Sequence, residues 1–420
     1  MRERPRVCLI SSIHTWFNPR LVKEADTLTA SGYDVSVIAR STDPWSQAQD
    51  DQLLAGRPWK VEQVNLMRRH PSGRARWLLA AARSTLAMQA YRATGMRRFA
   101  EEGYFRGLGA VLTAAERTRA NFFIAHTQGA LPIAARAARS LGVPYGFDCE
   151  DLLADEVADG LRDAAIRRAI LDIESEYLPG AAYVTVPSLA IADYLAARYA
   201  IRPVVVRNVF PQADLREVPP PVRRPPNGGV ELVWVSATIG GGRGIEYALA
   251  ALARLPTTAR LTLIGRVAAG FERELATHIS ELGLETRVTV RPLLPARQLL
   301  GTLSRFDIGL ATEQHTCRNR SLTTTNKLFQ YLQAGLLVAA TDTPGQREVM
   351  ASVPRAGILC KPDDPEALAA ALQPYINSRE RLLEARTAAW HAGIDRYNWE
   401  RESRTFMAAF NGSDPLAAAV

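Results

Sequence analysis

The sequence predicts an α/β protein of two domains, each built on a doubly wound parallel sheet. Three observations predict it. Strand-length apolar runs alternate with helix-length segments in both halves of the chain. Six prolines fall within the nineteen residues from Pro211 to Gly229, where the alternation stops before starting again. At 420 residues the chain also exceeds one ordinary core and suits two domains of roughly 200 residues each.

The first domain is expected over residues 1–210. Arg6–Ser12 (RVCLISS) has the apolar centre of a parallel strand covered on both faces. Asn18-Pro19 opens a helix, since proline suits a first helical turn, and the helix closes near Ser31-Gly32. YDVSVIAR is the next strand. NFFIAHTQ, a helix through Ser140, VPYGFDCED, a helix near 161–178, AAYVTVPS, a helix near 188–199 and RPVVVRN continue the pattern. Residues 211–229 read as a semi-rigid linker, too proline-rich for a helix or an internal strand.

The second domain, residues 230–394, restarts with VELVWVSA, a glycine loop, IEYALAALARL and ARLTLIG. A helix near 271–283, TRVTVRPL, a helix near 296–305, FDIGLAT, a helix and strand within 321–349, and GILCKP follow. Asp363 or Asp364, ahead of Pro365, is placed to cap the helix in DDPEALAAAL. The aromatic-bearing helix at 395–412 is expected to pack back on the first domain. In open α/β sheets ligands gather at the carboxyl ends of the strands, so a cleft between two such domains is the expected site.

Composition narrows the class. With 47% apolar and 22% charged residues the chain is that of a soluble globular protein. No apolar run approaches the ~18 residues of a spanning helix, and MRERPRVCLISS reads as a strand instead of a signal peptide. The expectation is a cytoplasmic protein. Cys8, Cys149, Cys317 and Cys360 are scattered and suit buried, reduced thiols. The six histidines lack metal-ligand spacing, so no metal and no tightly bound cofactor are expected.

The net charge of +8 is concentrated. Between Gln63 and Ala100 stand eight arginines and no acid, interleaved with Trp77, Leu78, Leu79, Leu86, Met88 and Tyr91. One or two amphipathic helices are expected there. They suit an anionic membrane surface at the inner face of the cell membrane, a solvated helix face, or an anionic substrate. No nucleic-acid module accompanies them, so nucleic acid is not an expected partner.

Three segments carry cations and glycines at successive strand ends. Gly240-Gly241-Gly242-Arg243-Gly244 follows a strand and opens a helix, where backbone N–H groups and the helix dipole favour an anion. LTLIGR ends a strand on Gly265 and Arg266. SLTTTNKLFQYLQAG offers Thr323, Thr324, Thr325 and Asn326 as caps, Lys327 in the first turn, and Gln330 one turn on. Together Arg243, Arg266, Lys327 and two helix N-termini suit a diphosphate. No P-loop or dinucleotide fingerprint is present.

The ordered set GGGRGIEYALAAL, LTLIGR and TTNKLFQYLQAGLLVAATDTPGQREV resembles the C-terminal domain of GT-B glycosyltransferases, especially the family 4-like group (glycosyl transferases group 1). In the first half, NPRLVKEADTLTASGYDVSVIA, AHTQGALPIAARAARSLGVPYGFDCEDLLADE and AAYVTVPSLAIADYL resemble the N-terminal domain of the same group. The resemblance implies two Rossmann-like domains facing a cleft, and a nucleoside-diphosphate sugar as donor. It further implies a glycan, lipid-linked or metabolite acceptor in the N-terminal domain, as in building a surface polysaccharide or glycolipid. On this basis Gly242, Arg243, Gly265, Arg266, Asn326, Lys327 and Gln330 are the candidate donor-binding residues. His14 and His126 are acceptor-side candidates, and Glu150, Asp151 or Asp148 supplies the base.

Departures accompany the match. The family acid that binds the donor ribose is Gln330 here, a neutral amide that still hydrogen-bonds a hydroxyl. Its partner acid eight residues earlier is Leu322, and Asp148-Cys149-Glu150-Asp151 replaces a histidine-bearing motif. A hexosyltransferase is expected. A catalytically inactive binding protein of this fold, or a nucleotide-sugar epimerase, is the alternative.

Overall fold

The computed structural model describes residues 4–156, 161–216, 218–223 and 228–413. The chain divides into two compact units, residues 1–187, 191–206 and 403–420 forming the first and residues 188–190 and 207–402 the second.

The first unit holds seven parallel strands: β1 (Arg6–Ser11), β2 (Asp34–Ser41), β3 (Lys60–Asn65), β4 (Phe122–His126), β5 (Tyr145–Asp148), β6 (Tyr183–Val186) and β7 (Val204–Val205). Their order is β3-β2-β1-β4-β5-β6-β7. The chain winds outward from β1 to β3, returns beside β1 as β4, and winds the other way. Right-handed crossovers then put the connecting helices on opposite faces before and after the reversal. That explains why Cys8, Leu9, Ile10, Phe123, Ile124 and Ala125 are all fully buried: the central strands are covered on both sides.

Asn18 caps the helix Pro19–Ala30 by accepting from the Leu21 N–H at 3.0 Å, as its Asn-Pro start predicts. The helix Pro44–Leu54 and β3 are not among the elements expected from sequence. β3 (KVEQVN) is a polar edge strand with Lys60 and Glu62 exposed, and it lacks the apolar run of an interior strand. The helix Trp399–Asn411 brings Phe406 and Phe410 into this unit, the Phe410 ring 4.8 Å from Phe122 and 5.2 Å from Tyr33.

The arginine-rich segment forms the helix Pro71–Thr94. Gly73, Ala80, Ser84 and Tyr91 are buried along one stripe, and the Tyr91 hydroxyl donates to Asp172 at 2.6 Å. Leu78, Leu79 and Leu86 lie off that stripe and are 54%, 56% and 66% exposed. Among the described residues no helix is long and apolar enough to cross a membrane.

The second unit holds β8 (Val230–Ile239), β9 (Ala259–Val267), β10 (Val288–Arg291), β11 (Ile308–Ala311), β12 (Leu337–Thr341) and β13 (Gly357–Cys360). They are parallel in the order β10-β9-β8-β11-β12-β13, which reverses direction between β8 and β11. Trp234, Leu263, Ile308, Leu310 and Leu337 form part of a fully buried core. Asp364 caps the helix Pro365–Asn377 through the Ala367 N–H at 2.9 Å.

Of the proline-rich segment 211–229, residues 217 and 224–227 lie outside the described residues. Contrary to the expectation from its prolines, Gln212–Leu215 form one helical turn there. All four cysteines are free, and Cys8, Cys149 and Cys360 are buried.

Candidate active site

In the second unit the sheet reverses direction between β8 and β11, the position where doubly wound sheets bind ligands. A bulge between Val235 and Thr238 bends the end of β8. The Ser236 hydroxyl accepts from Arg243 Nη1 at 3.0 Å and orients that guanidinium. Gly265 allows the bend: a Cβ there would meet the Ser236 carbonyl oxygen at 2.3 Å. Its role is therefore steric, set by backbone approach within the sheet. Arg266 follows as an exposed residue paired in register with Thr238.

The glycine loop packs on the segment after β11. Gly244, at φ +73°, lies so close that an added Cβ would fall 1.7 Å from the Thr312 carbonyl oxygen, and the Thr312 hydroxyl donates to the Gly244 carbonyl at 2.9 Å. Gly242 lies in the same loop, with Thr316 as its neighbour. This contact brings Arg243 toward Glu313, the residue sequence reasoning missed. Glu313 is buried, with Oε1 2.6 Å from Lys327 Nζ and Oε2 3.4 Å from Arg320. The signal was a lone acid directly after the apolar run FDIGLAT.

Lys327 is also buried, its Nζ 4.3 Å from the centre of the Trp234 ring. Burial, partly offset by Glu313, pulls its ammonium below the usual lysine range. Burial works against the Glu313 carboxylate, yet Lys327, Arg320 and Arg243 hold it below the usual carboxylate range. Three cations thus surround one carboxylate, and the surplus positive charge favours an anion.

The helix start differs from the expected cap. Asn326 is the first residue of the helix Asn326–Gln333 and is exposed; Thr325 is the N-cap and makes no side-chain cap bond. The Thr324 hydroxyl donates instead to the Gly345 carbonyl at 2.7 Å, because the following strand–helix turn passes beside it. The first-turn amides are therefore left without a side-chain cap. Gln330, one turn beyond Lys327, is half-buried.

In the first unit Asp148, His126 and Glu150 come together at the carboxyl ends of β4 and β5. Asp148 is fully buried and paired with Arg20, whose Nε donates at 2.7 Å and whose Nη2 also donates; Thr185 donates at 2.7 Å. Burial alone would raise the Asp148 carboxyl, but Arg20 and His126 hold it well below the usual range. His126, fully buried, lies 3.1 Å from Asp148, 3.2 Å from Glu24 and 3.7 Å from Glu150.

Glu24, His126 and Asp148 bring one ligand atom each within 4.8 Å of one another. Both Asp148 oxygens are already engaged by Arg20, so the set fits an ion-pair network better than a metal site. Glu150 is the outermost member, its side chain 19% exposed and its Oε1 without a hydrogen bond. Asp151 stands beside it, and its backbone carbonyl accepts from Gln128 at 2.8 Å.

His14 follows β1 in the same unit. The Thr42 N–H donates to its Nε2 at 3.0 Å, so Nδ1 carries the proton and donates to buried Asp50 at 2.7 Å. Both ring nitrogens are committed within the chain, and the side chain is buried.

Residues 18–211 match the family model described as glycosyl transferase 4-like domain, and residues 230–378 the model described as glycosyl transferases group 1. None of the curated proteins matches the chain. Among solved structures, the HepE protein of Anabaena in complex with UDP is similar at 16% identity and TM-score 0.69, covering 96% of this chain and 99% of that one. Sucrose-phosphate synthase of Thermosynechococcus elongatus is similar at 18% identity and TM-score 0.67, covering 99% of this chain and 100% of that one. At these identities the structural matches speak for the fold, which is GT-B. With both domain models matched in order, the chain belongs to the group 1, family 4-like glycosyltransferases.

Proposed function

We propose that this protein transfers a hexosyl group from a nucleoside-diphosphate sugar to a glycan, lipid-linked or metabolite acceptor. The observation that carries the donor half is the set of Arg243, Arg320 and Lys327 around the single carboxylate of Glu313. A diphosphate supplies the negative charge this cluster lacks, and fixed cations stabilise the charge that develops on a departing diphosphate. Uridine is the first nucleoside to test, since HepE has been solved with UDP and with UDP-glucose. Arg266, Asn326 and Gln330 complete the donor side in this reading.

Glu150 is the proposed proton acceptor. It is the least enclosed carboxylate of its cluster, and His126 lies 3.7 Å from it. Asp148 is held by Arg20 as a charged anchor, and Asp151 is the adjacent alternative. The helix Pro71–Thr94, with exposed leucines among arginines, is the proposed contact with an anionic membrane surface.

Calorimetric titration with UDP, GDP, ADP and their glucose conjugates, followed by assay of slow donor hydrolysis, tests the proposal. Binding of one nucleotide, with release of sugar from its conjugate, supports it. A folded protein that binds none of them overturns it. Gln330 and Leu322, standing where the family keeps acids, favour a second reading as a catalytically inactive binder. That reading predicts nucleotide binding without turnover.

A further inference from the structure

The first unit contains a cavity of about 790 Å³ at the carboxyl ends of β2 and β3. It is lined on one side by the helix Pro71–Thr94, through Trp77 and Met88, and on another by Tyr104 and Leu66. Arg40, Arg92 and Arg106 also line it, and among the described residues no acidic one does.

Arg40 is the unusual member. It is the penultimate residue of β2 and half-buried, with its guanidinium 4.8 Å from the centre of the Phe105 ring. Its Nε is buried without a hydrogen-bond partner. Among the described residues no carboxylate pairs with it, and burial together with the nearby Arg106 draws it below the usual guanidinium range. A buried cation without a counter-ion is costly and is normally paired. Arg106, 5.4 Å from the centre of the Trp77 ring, adds a second like charge to the same wall.

Cations with no described acid beside them, at the carboxyl end of a parallel sheet, call for an anion from outside the chain. The aromatic and aliphatic walls call for an apolar body attached to it. We propose that this cavity binds the phosphate group of an amphipathic ligand, held by Arg40, Arg92 and Arg106, with its apolar portion against Trp77, Tyr104 and Met88. Guanidinium forks match phosphate oxygens in geometry as well as charge. As an assignment of the acceptor, a phosphate-bearing amphiphile, this rests on the transferase reading; as a binding site it does not.

The test is calorimetric titration of the full chain with hexyl phosphate, hexyl glucoside and inorganic phosphate, with UDP titrated in parallel. Hexyl phosphate is expected to bind one per chain, at least tenfold more tightly than either control. Arg40→Gln, and separately the exposed pair Arg92→Gln/Arg106→Gln, are each expected to weaken it at least tenfold and leave UDP affinity unchanged. Arg40→Gln is also expected to raise the melting temperature of the ligand-free protein, because it removes a half-buried cation that no described carboxylate pairs; a role for Arg40 in holding the fold would lower it.

Equal binding of hexyl glucoside, or wild-type affinity for hexyl phosphate in both variants, overturns the proposal. Equal affinity for inorganic phosphate overturns the amphipathic ligand, and no binding of hexyl phosphate to protein that binds UDP overturns the site. Hexyl phosphate binding in protein that fails to bind any nucleotide supports the site and counts against the donor reading instead.

Discussion

Glu313 Oε1 lies 2.6 Å from Lys327 Nζ, both side chains buried, beyond the carboxyl end of β11, where the strand order of the second sheet reverses. The carboxylate offsets part of the positive charge that Lys327, Arg320 and Arg243 bring together there. Removing Glu313 leaves Lys327 buried without its carboxylate, whereas removing Lys327 leaves Glu313 with Arg320 at 3.4 Å.

Glu313→Gln is expected to destabilise the protein by about 3 kcal/mol, the usual cost of orphaning a buried charge. Lys327→Met is expected to cost UDP about tenfold or more in affinity, a charged hydrogen bond's worth. The double variant should be less destabilised than the sum of the singles, because Lys327 is then no longer left buried without its carboxylate. Urea unfolding and calorimetry measure both, and additive losses would count against the coupling.

Gln330→Glu restores the acid expected from the family resemblance. If Gln330 faces the donor ribose, the charge-assisted bond should tighten UDP roughly fivefold and leave pyrophosphate binding unchanged. Parallel titrations with the two ligands separate a ribose contact from a general charge effect.

Gly244→Ala is expected to cost at least ~2 kcal/mol, through a left-handed backbone angle and collision with the Thr312 carbonyl. The loop would have to move, carrying Arg243 from Ser236, so nucleotide affinity should fall with stability. A variant with wild-type unfolding would show the loop to be freer than this packing implies.

His126 gives a pH signature. Burial favours its neutral form, but Glu24, Asp148 and Glu150 outweigh it and raise its pKa well above 6.5. A histidine raised in the folded state contributes stability that is full below the unfolded value and is lost as pH rises through the folded one. The melting-temperature gap between wild type and His126→Gln should therefore be widest near pH 6 and narrow toward alkaline pH. A gap constant with pH would mean that His126 is neutral throughout.

Phe410→Ala is expected to cost roughly 3–5 kcal/mol, since a fully buried ring against Phe122 and Tyr33 leaves a cavity. Chemical denaturation measures it. A loss below about 1 kcal/mol would indicate a C-terminal helix that contributes little to the first unit's core.

What the sequence determined alone was the alternation. Apolar runs such as RVCLISS and NFFIAHTQ must be interior parallel strands, because only strands covered on both faces lack polar alternation. Arg243 and Lys327 were legible for a similarly local reason: Arg243 stands in the glycine loop between a strand and a helix, and Lys327 in the first turn of a helix behind a run of capping residues. The polar edge strand β3 was not legible, since a strand with an exposed face carries no apolar run.

Tertiary structure decided the pairings. Glu313 is fourteen residues from Lys327, Asp148 is 128 from Arg20, and neither spacing has a local period to betray it. Arg40 reads in sequence as the end of a strand. Only packing sets it against Phe105 and near Arg106, with no carboxylate among the described residues paired to it. Local propensity is written along the chain; the balance of buried charge depends on which distant strand ends meet.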